Sequence, residues 1–321
     1  MAVGASILLL GVGLAACGKS GSSSSSSGKG CTPEKGNDLV VLADDKHLQL
    51  ADNVLPAVNT AAASPTLIAN LDKVSDALTT SDLVKMNTQT DIDRKTPEEA
   101  ATAFVRSKHL TDGVTKGSGS LTIGIVTFNE VQSVANVYKQ VLSAAGYDVK
   151  LTTPIQNRES YLPDLESNKI QVVPEYAATL TEFINHKQNG PNAAAKATTD
   201  VDSTVSALTD LGSKVNLKFG KPSKAVDTNA FAVTKKFATK NKVKSLSDVA
   251  SKCNGGKLVL GGVTECKNRP FCQPGLEKTY GIKFTQFKGY GENFQLIKSA
   301  TRQGQVQMGL VLSSDAGLGT P

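Results

Sequence analysis

The stretch of sequence that decides the fold is residues 157–184, which read NRESYLPDLESNKIQVVPEYAATLTEFI. The pattern predicts a short helix over 161–168, a buried strand over 170–173 and a second helix from near Ala177. Pro174 has no backbone N–H and biases the preceding residue to an extended conformation, so we expect the strand to end there.

The exit from this strand is also where a ligand is expected. Open parallel sheets bind ligands outside the carboxyl ends of their strands, so Tyr161 and Tyr176 are predicted to flank a cleft. Taken alone, the segment fits equally well with two tyrosines that lie in the core or on the surface and flank no cleft.

Strands and helices alternate along the rest of the chain. Further strands are predicted at 39–42, 54–58, 121–126, 147–152, 229–234, 257–262 and 306–312. Further helices are predicted to begin near residues 65, 82, 97, 130, 201, 245 and 292. Because 321 residues are enough for two domains, the alternation predicts an α/β protein of two lobes with a parallel-rich sheet in each.

Composition and motifs exclude several classes of function. The net charge of +6 comes from lysines spread along the chain, without the aromatic-interleaved basic block that nucleic-acid binding favours. The sequence has neither G-x-S-x-G nor H-E-x-x-H, and His47, His109 and His186 stand in polar segments typical of surface histidines. We therefore expect no enzyme activity, no metal and no cofactor.

The first residues predict an exported, anchored protein. Residues 1–16 are apolar but too short to span a bilayer, which is typical of a signal peptide. They end in Leu14-Ala15-Ala16-Cys17, which resembles the bacterial lipobox and implies lipid attachment to Cys17. Residues 17–36 form a Gly/Ser-rich tether. The predicted location is the extracytoplasmic face of the cell membrane.

Four further cysteines predict disulfides rather than a zinc site, because no C-x-x-C pair occurs and the export signal implies an oxidising compartment. Cys253 and Cys266 flank a strand, which would hold them too far apart to bond. Two pairings remain open. Cys266–Cys272 with Cys31–Cys253 is favoured over Cys31–Cys266 with Cys253–Cys272.

Five motifs follow one another in an order that resembles a known family. They are the strand 121–126 with TFNE at 127–130, the stretch 157–179, TNAFAV at 228–233, E-x-x-x-R-P at 265–270 with GLEKTYG at 275–281, and SSD at 313–315. Together they resemble the glycine betaine/choline (OpuAC-type) substrate-binding proteins of ABC importers, over essentially everything after residue 37.

The resemblance implies a two-lobed, periplasmic-binding-protein-like fold of type II that closes on its ligand like a venus flytrap. It implies a solute-binding protein that captures glycine betaine, choline or a related quaternary ammonium and delivers it to an ABC permease with its ATPase. The alternative is the same fold binding a different small polar ligand, as an envelope sensor or scaffold domain without transport.

Site residues follow from the same resemblance. Arg269 matches the family's carboxylate clamp, Tyr161 a wall of its aromatic cage, and Tyr176 its Pro-Glu-Tyr motif. The chain departs from the family at Asn229, Leu312 and Asp52, which stand where tyrosines are common; Asp52 would instead offer a carboxylate to a cation. Further candidates for ligand contact are Glu130, Thr179 and Ser314.

The order of the segments also departs from the family. Residues 37–112 resemble the segment that closes the usual sequence, so the chain is expected to be circularly permuted, with 113–120 joining the old ends. The expected lobes are 37–226 and 227–318. In this arrangement the new termini would cut one of two crossovers between the lobes, and a Cys31–Cys253 disulfide would re-tie the lobes near the missing hinge.

Overall fold

Two five-stranded sheets organise residues 31–50 and 52–318, which the computed structural model describes. The strands are β1 (Leu39–Val41), β2 (Val54–Asn59), β3 (Ser120–Ile123), β4 (Asp148–Leu151), β5 (Val172–Tyr176), β6 (Leu217–Phe219), β7 (Asn229–Thr234), β8 (Val259–Gly262), β9 (Gln286–Gly289) and β10 (Met308–Leu312). The sheet orders are β4-β3-β5-β2-β6 and β1-β7-β10-β8-β9.

Eleven helical segments, named here within the described part of the chain, cover these sheets. They are α1 (Pro65–Ala77), α2 (Thr80–Asn87), α3 (Pro97–Ser107), α4 (Asn129–Ala145), α5 (Arg158–Glu166), α6 (Ala177–Asn189), α7 (Val201–Ser213), α8 (Lys235–Asn241), α9 (Leu246–Cys253), the short turn α10 (Gln273–Gly275) and α11 (Phe294–Arg302). None of the helices in residues 31–50 and 52–318 is long and apolar enough to cross a membrane.

The first lobe is built on the sheet that contains β2 to β6. Successive strand residues point to opposite faces, so Val172 joins the core beneath α1 to α4 while Val173 joins the core beneath α5 to α7. The second lobe is built on the other sheet, and its larger core includes Phe231, Phe237 and Leu260. The two-lobed α/β prediction is confirmed.

Both sheets are mixed, so the expectation of largely parallel pairing is only half right. β3, β4 and β5 are parallel, as are β8, β9 and β10, whereas β2 and β7 run antiparallel to both of their neighbours. These two strands are the ones that enter each lobe directly from the other. The direction of the crossing therefore sets their reversed orientation.

β5 passes through Pro174 instead of ending before it, contrary to the prediction. Pro174 faces Pro56 across the antiparallel pair of β5 and β2. Since neither proline has an N–H to donate, the two form a pair that places no hydrogen bond between the strands. Strand continuity here depends on the partner residue, which the local sequence does not reveal.

The boundary of the first lobe at residue 37 is also wrong. β1 pairs with β7, so residues 31–50 belong to the second lobe, together with the chain from residue 229 onward. Two crossovers join the lobes, at 52–53 and 226–228, and they pair with each other through an antiparallel bridge between Asn53 and Val226. Neither crossover is cut by the chain termini.

The Cys31–Cys253 disulfide does not re-tie the lobes, because both cysteines lie in the core of the second lobe. It fixes the start of the described chain to α9. The second disulfide joins Cys266 to Cys272. This is the pairing favoured by the sequence. The predicted signal peptide, Cys17 and residues 18–30 of the tether lie outside the described residues.

Candidate functional site

A cleft of about 210 Å³ opens between the two lobes, beside the crossovers. The first lobe contributes the ends of β3 and β5 and the starts of α5 and α6. The second lobe contributes the start of β7, the end of β10, and the loops before α10 and α11. Most of these positions are element ends or loops, and α6 adds Glu182, Phe183 and His186 from further along the helix.

A buried ionic network forms the first lobe's side of the cleft. Arg158, in the first turn of α5, donates from Nε and Nη2 to the two carboxylate oxygens of Glu175, at 2.8 and 2.7 Å. The Tyr161 hydroxyl donates to the same carboxylate. Burial and the Glu175 charge raise the pKa of Tyr161 well above its usual value, so the hydroxyl keeps its proton. The network leaves the Tyr161 side chain fixed against the cleft.

Asp52 closes the N-terminus of α6. Its Oδ1 accepts hydrogen bonds from the backbone N–H groups of Ala178 (2.6 Å) and Thr179 (2.9 Å), which have no partner inside the helix. Burial raises the pKa of Asp52 to about 6. The Thr179 hydroxyl accepts from Arg158 Nη2 at 3.1 Å. Both residues line the cleft, and both are already engaged by protein groups.

Tyr176 connects the cleft to a buried carboxylate. Its hydroxyl donates to Glu130 Oε1 at 2.7 Å, and Glu130 Oε2 accepts from Asn87 and from the Ser314 hydroxyl, each at 2.6 Å. Glu130 and Ser314 have no exposed surface and stand behind the cleft wall. Neither residue lines the cleft, and the Tyr176 side chain lies between Glu130 and the cleft.

The second lobe presents an arginine within a disulfide-closed loop. Arg269, Pro270 and Phe271 line the cleft and lie between Cys266 and Cys272. Arg269 Nη2 is 3.6 Å from Glu159 Oε1 of the first lobe, and both side chains are more than a third exposed, so the pair stands at the cleft mouth.

A carboxyl pair lies beside this arginine. Burial, and then the neighbouring Glu265, raise the pKa of Glu292 to about 8. Glu292 lines the cleft. The protonated carboxyl can donate a hydrogen bond into the cleft or to Glu265 at neutral pH.

The cleft carries the opposite charge balance to the whole chain. Its walls hold two arginines, Arg158 and Arg269, and five carboxyl groups: Asp52, Glu175, Glu182, Asp227 and Glu292. Their raised pKa values leave Asp227 and Glu292 protonated at neutral pH. The wall then keeps three carboxylates against two arginines, a small negative excess in a chain that is basic as a whole, and its low-dielectric surroundings concentrate the field of these charges.

The cleft is also lined by four phenylalanines that were not predicted from the sequence: Phe128, Phe183, Phe271 and Phe294. Phe128 of the first lobe and Phe294 of the second approach to 5.7 Å between ring centroids. Phe128 stood inside the quoted TFNE motif and Phe271 directly after Arg269-Pro270, so both signals were present in the sequence. Only the fold brings their rings to one place.

Six predicted site residues meet in this cleft: Asp52, Tyr161, Tyr176, Thr179, Asn229 and Arg269. Leu312 lines it too. His186 is not the surface histidine that was expected; it lies in the cleft wall, a quarter exposed, with Nε2 3.8 Å from Glu182. His186 lies on the same face of α6 as Thr179, Glu182 and Phe183, at helical spacing, and that face lines the cleft.

A solute-sized cleft between two α/β lobes, joined by two short crossovers, defines a two-lobed binding protein of the periplasmic type. The chain belongs to the OpuAC family, the substrate-binding domain of the ABC-type glycine betaine transport system, whose family model matches residues 33–107 and 119–320. Members of this family bind solutes for transport and are not enzymes.

A solved structure also resembles this chain. It is described as a glycine betaine/carnitine/choline ABC transporter, with 18% sequence identity and a TM-score of 0.40 over 60% of this chain and 68% of that chain.

Proposed function

We propose that this protein captures a small quaternary-ammonium-type solute, such as glycine betaine or choline, between its lobes and delivers it to an ABC permease with its ATPase. We further propose that it acts at the extracytoplasmic face of the cell membrane, anchored through a lipid on Cys17. The observation that carries the proposal is the set of aromatic rings from both lobes beside a carboxylate-rich wall.

The chemistry of the solute fits this wall. A quaternary ammonium cannot donate hydrogen bonds, so it is held by ring faces and by the field of nearby carboxylates. Each ring contributes about 0.5 to 2 kcal/mol, more when the cation is desolvated. Phe128, Phe271 and Phe294 supply rings in place of the family's tyrosines that are missing at Asn229, Leu312 and Asp52.

Arg269 is the proposed partner of a carboxylate tail. Its Nη2 lies 3.6 Å from Glu159 Oε1. Because this ion pair is exposed, replacing Glu159 by the carboxylate of a solute costs little free energy. A bidentate arginine would recognise glycine betaine, carnitine and proline betaine but contributes nothing to choline, which has a hydroxyl instead.

Calorimetric titration of the unlipidated domain with these four solutes tests the proposal. We expect Arg269→Ala to weaken betaine binding by more than tenfold and choline binding little. Lys240→Ala, at an exposed pair with Glu34 far from the cleft, is the matched control. Failure of all four solutes to bind would overturn the quaternary-ammonium assignment.

A second candidate function is supported by the same departures. With Asp52 and Asn229 in the wall where the family has tyrosines, the cleft suits a polar cation that donates hydrogen bonds, in an envelope sensor or scaffold without transport. Thermal-shift screening of polyamines and basic amino acids separates this function from the first, because those ligands need carboxylates more than rings.

We also propose that the segment order is circularly permuted relative to the family. The family match breaks between residues 107 and 119, at the segment expected to join the old ends. That segment is held by reciprocal hydrogen bonds between Asn70 and the backbone of Thr115. At the other end of the lobes, Cys31 and Leu318 both pack in the second lobe, so the proposed new termini leave both crossovers whole.

A further inference from the structure

Glu130 and Ser314 make a buried hydrogen bond between the two lobes. Glu130 lies in the first turn of α4 in the first lobe, and Ser314 follows β10 in the second. The Ser314 hydroxyl donates to Glu130 Oε2 at 2.6 Å, and neither residue is exposed. Separation of the lobes would break this bond.

The same carboxylate holds a residue of the cleft wall. Glu130 Oε1 accepts from the Tyr176 hydroxyl at 2.7 Å. Ser314 is fixed in turn, because its backbone N–H donates to Asp227 of the crossover at 3.2 Å and its carbonyl accepts from Asn87 at 3.1 Å. A continuous path of hydrogen bonds therefore runs from the cleft to the hinge.

We propose that Glu130 is a positioning residue that couples the cleft-lining Tyr176 to lobe closure through Ser314. This inference depends on the proposed function only for the identity of the solute. A solute packed on the Tyr176 ring keeps the tyrosine hydroxyl pointed toward Glu130 Oε1. When the lobes close, the Ser314 hydroxyl comes within hydrogen-bond distance of Glu130 Oε2. Occupancy and closure then stabilise the same carboxylate.

The charges around Glu130 make the path sensitive to pH. The facing groups are Tyr176, Asp227, the buried Asp315–Lys298 ion pair and the Glu175–Arg158 ion pair. Both cations are already paired, so within the described part of the chain Glu130 and Asp227 face each other with no free cation beside them. Burial, and then the Glu130 charge, raise the pKa of Asp227 well above its usual value. Burial raises the pKa of Glu130 too, but its hydrogen bonds from Ser314, Tyr176 and Asn87 oppose that shift, whereas the Glu130 charge adds to the shift at Asp227, so we place the shared proton on Asp227.

Ser314→Ala and Tyr176→Phe test the path, because each removes one hydroxyl and neither removes a ring or a charge from the cleft. We expect each to weaken solute binding by about tenfold, the loss of one hydrogen bond to a charged group, mainly through faster dissociation. The double variant should lose less than the product of the two, because the two hydroxyls act on one carboxylate. Gln295→Ala is the matched control. This variant removes an exposed hydrogen bond between the lobes, from Gln295 Nε2 to Asp91 Oδ2 at 3.0 Å, and should change solute affinity less than twofold.

The pH profile separates coupling from mere packing. The affinity for the solute should fall as pH rises through the raised pKa of Asp227, because Asp227 and Glu130 are then both ionised and repel each other in the closed protein. Asp227→Asn should flatten this slope, and Glu130→Gln should do so too. If Glu130→Gln does not fold, Ser314→Ala and Asp227→Asn carry the test.

Interlobe distances, measured by paired spin labels on ligand-free protein, keep this test independent of the solute. Ser314→Ala removes the interlobe bond and should broaden the distribution toward open forms, whether or not a quaternary ammonium binds. Tyr176→Phe removes a bond within the first lobe and should broaden it less. Unchanged distances together with additive losses of affinity, or an unaltered pH slope in Asp227→Asn, would overturn the proposal.

Discussion

The rings of Phe128 and Phe294 lie 5.7 Å apart, centroid to centroid, although each belongs to a different lobe. Their planes are inclined by 41°, within the range of favourable aromatic pairs. Because one ring belongs to each lobe, the two can pack together in the cleft wall only while the lobes are close.

Replacement of either ring by leucine keeps apolar volume but removes the π face. We expect Phe128→Leu and Phe294→Leu each to weaken quaternary-ammonium binding by about 0.5 to 2 kcal/mol in calorimetry. Thermal unfolding should change little, since both residues are only half-buried. If both variants bind the solute as tightly as the parent chain, these two rings are not part of the binding site.

Asp52 should give the unfolding free energy a specific pH dependence. Burial raises its pKa from 3.8 to about 6, so its favourable contribution is complete below about pH 4 and is lost as pH rises through 6. The loss is on the order of 3 kcal/mol. Asp52→Asn keeps an oxygen for the Ala178 and Thr179 N–H groups and should remove this slope in urea unfolding. Asp76→Asn, at an exposed pair with Lys221, should leave the slope intact.

Removal of the Cys31–Cys253 disulfide should lower stability, whereas removal of the Cys266–Cys272 disulfide should weaken binding. Cys31–Cys253 spans 222 residues and Cys266–Cys272 spans 6. In the chain-entropy model the longer loop stabilises more, so Cys31→Ser with Cys253→Ser should cost about 2 to 4 kcal/mol and leave affinity unchanged.

The shorter disulfide should act mainly on the cleft. Cys266→Ser with Cys272→Ser frees the loop that carries Arg269 and Phe271, so we expect weaker betaine binding with a smaller loss of stability. Calorimetry and thermal unfolding of both double variants measure the contrast. The reverse pattern would contradict the assignment of the loop to the cleft.

The family's segment order should be restorable. A chain opened within 113–120, with residue 321 joined to residue 31 through a Gly/Ser tether, leaves both crossovers intact. We expect native circular dichroism and solute affinity within about threefold of the parent, because exposed termini in one lobe tolerate permutation. Loss of folding would show that the present termini stabilise the second lobe.

The sequence anticipated most elements because their signals are local. β7 was predicted with its observed bounds, since apolar residues run from Ala230 to Val233 between polar neighbours. α1, α3 and α9 begin where helices were predicted near residues 65, 97 and 245, and Ser64, Thr96 and Ser245 cap them. β6 and β9 were not predicted, because three or four residues with partly exposed faces carry little periodicity.

By itself, the sequence determined the two-lobed α/β class, the order of the motifs and six residues of the cleft. The tertiary structure alone decided that β1 belongs to the second lobe, that Pro174 sits inside a strand, and that Glu130 lies behind Tyr176 rather than in the cleft wall. The reason is that strand partners, ring contacts between lobes and buried hydrogen bonds join residues far apart in the chain. Local patterns encode how a segment folds, but not which distant segment it meets.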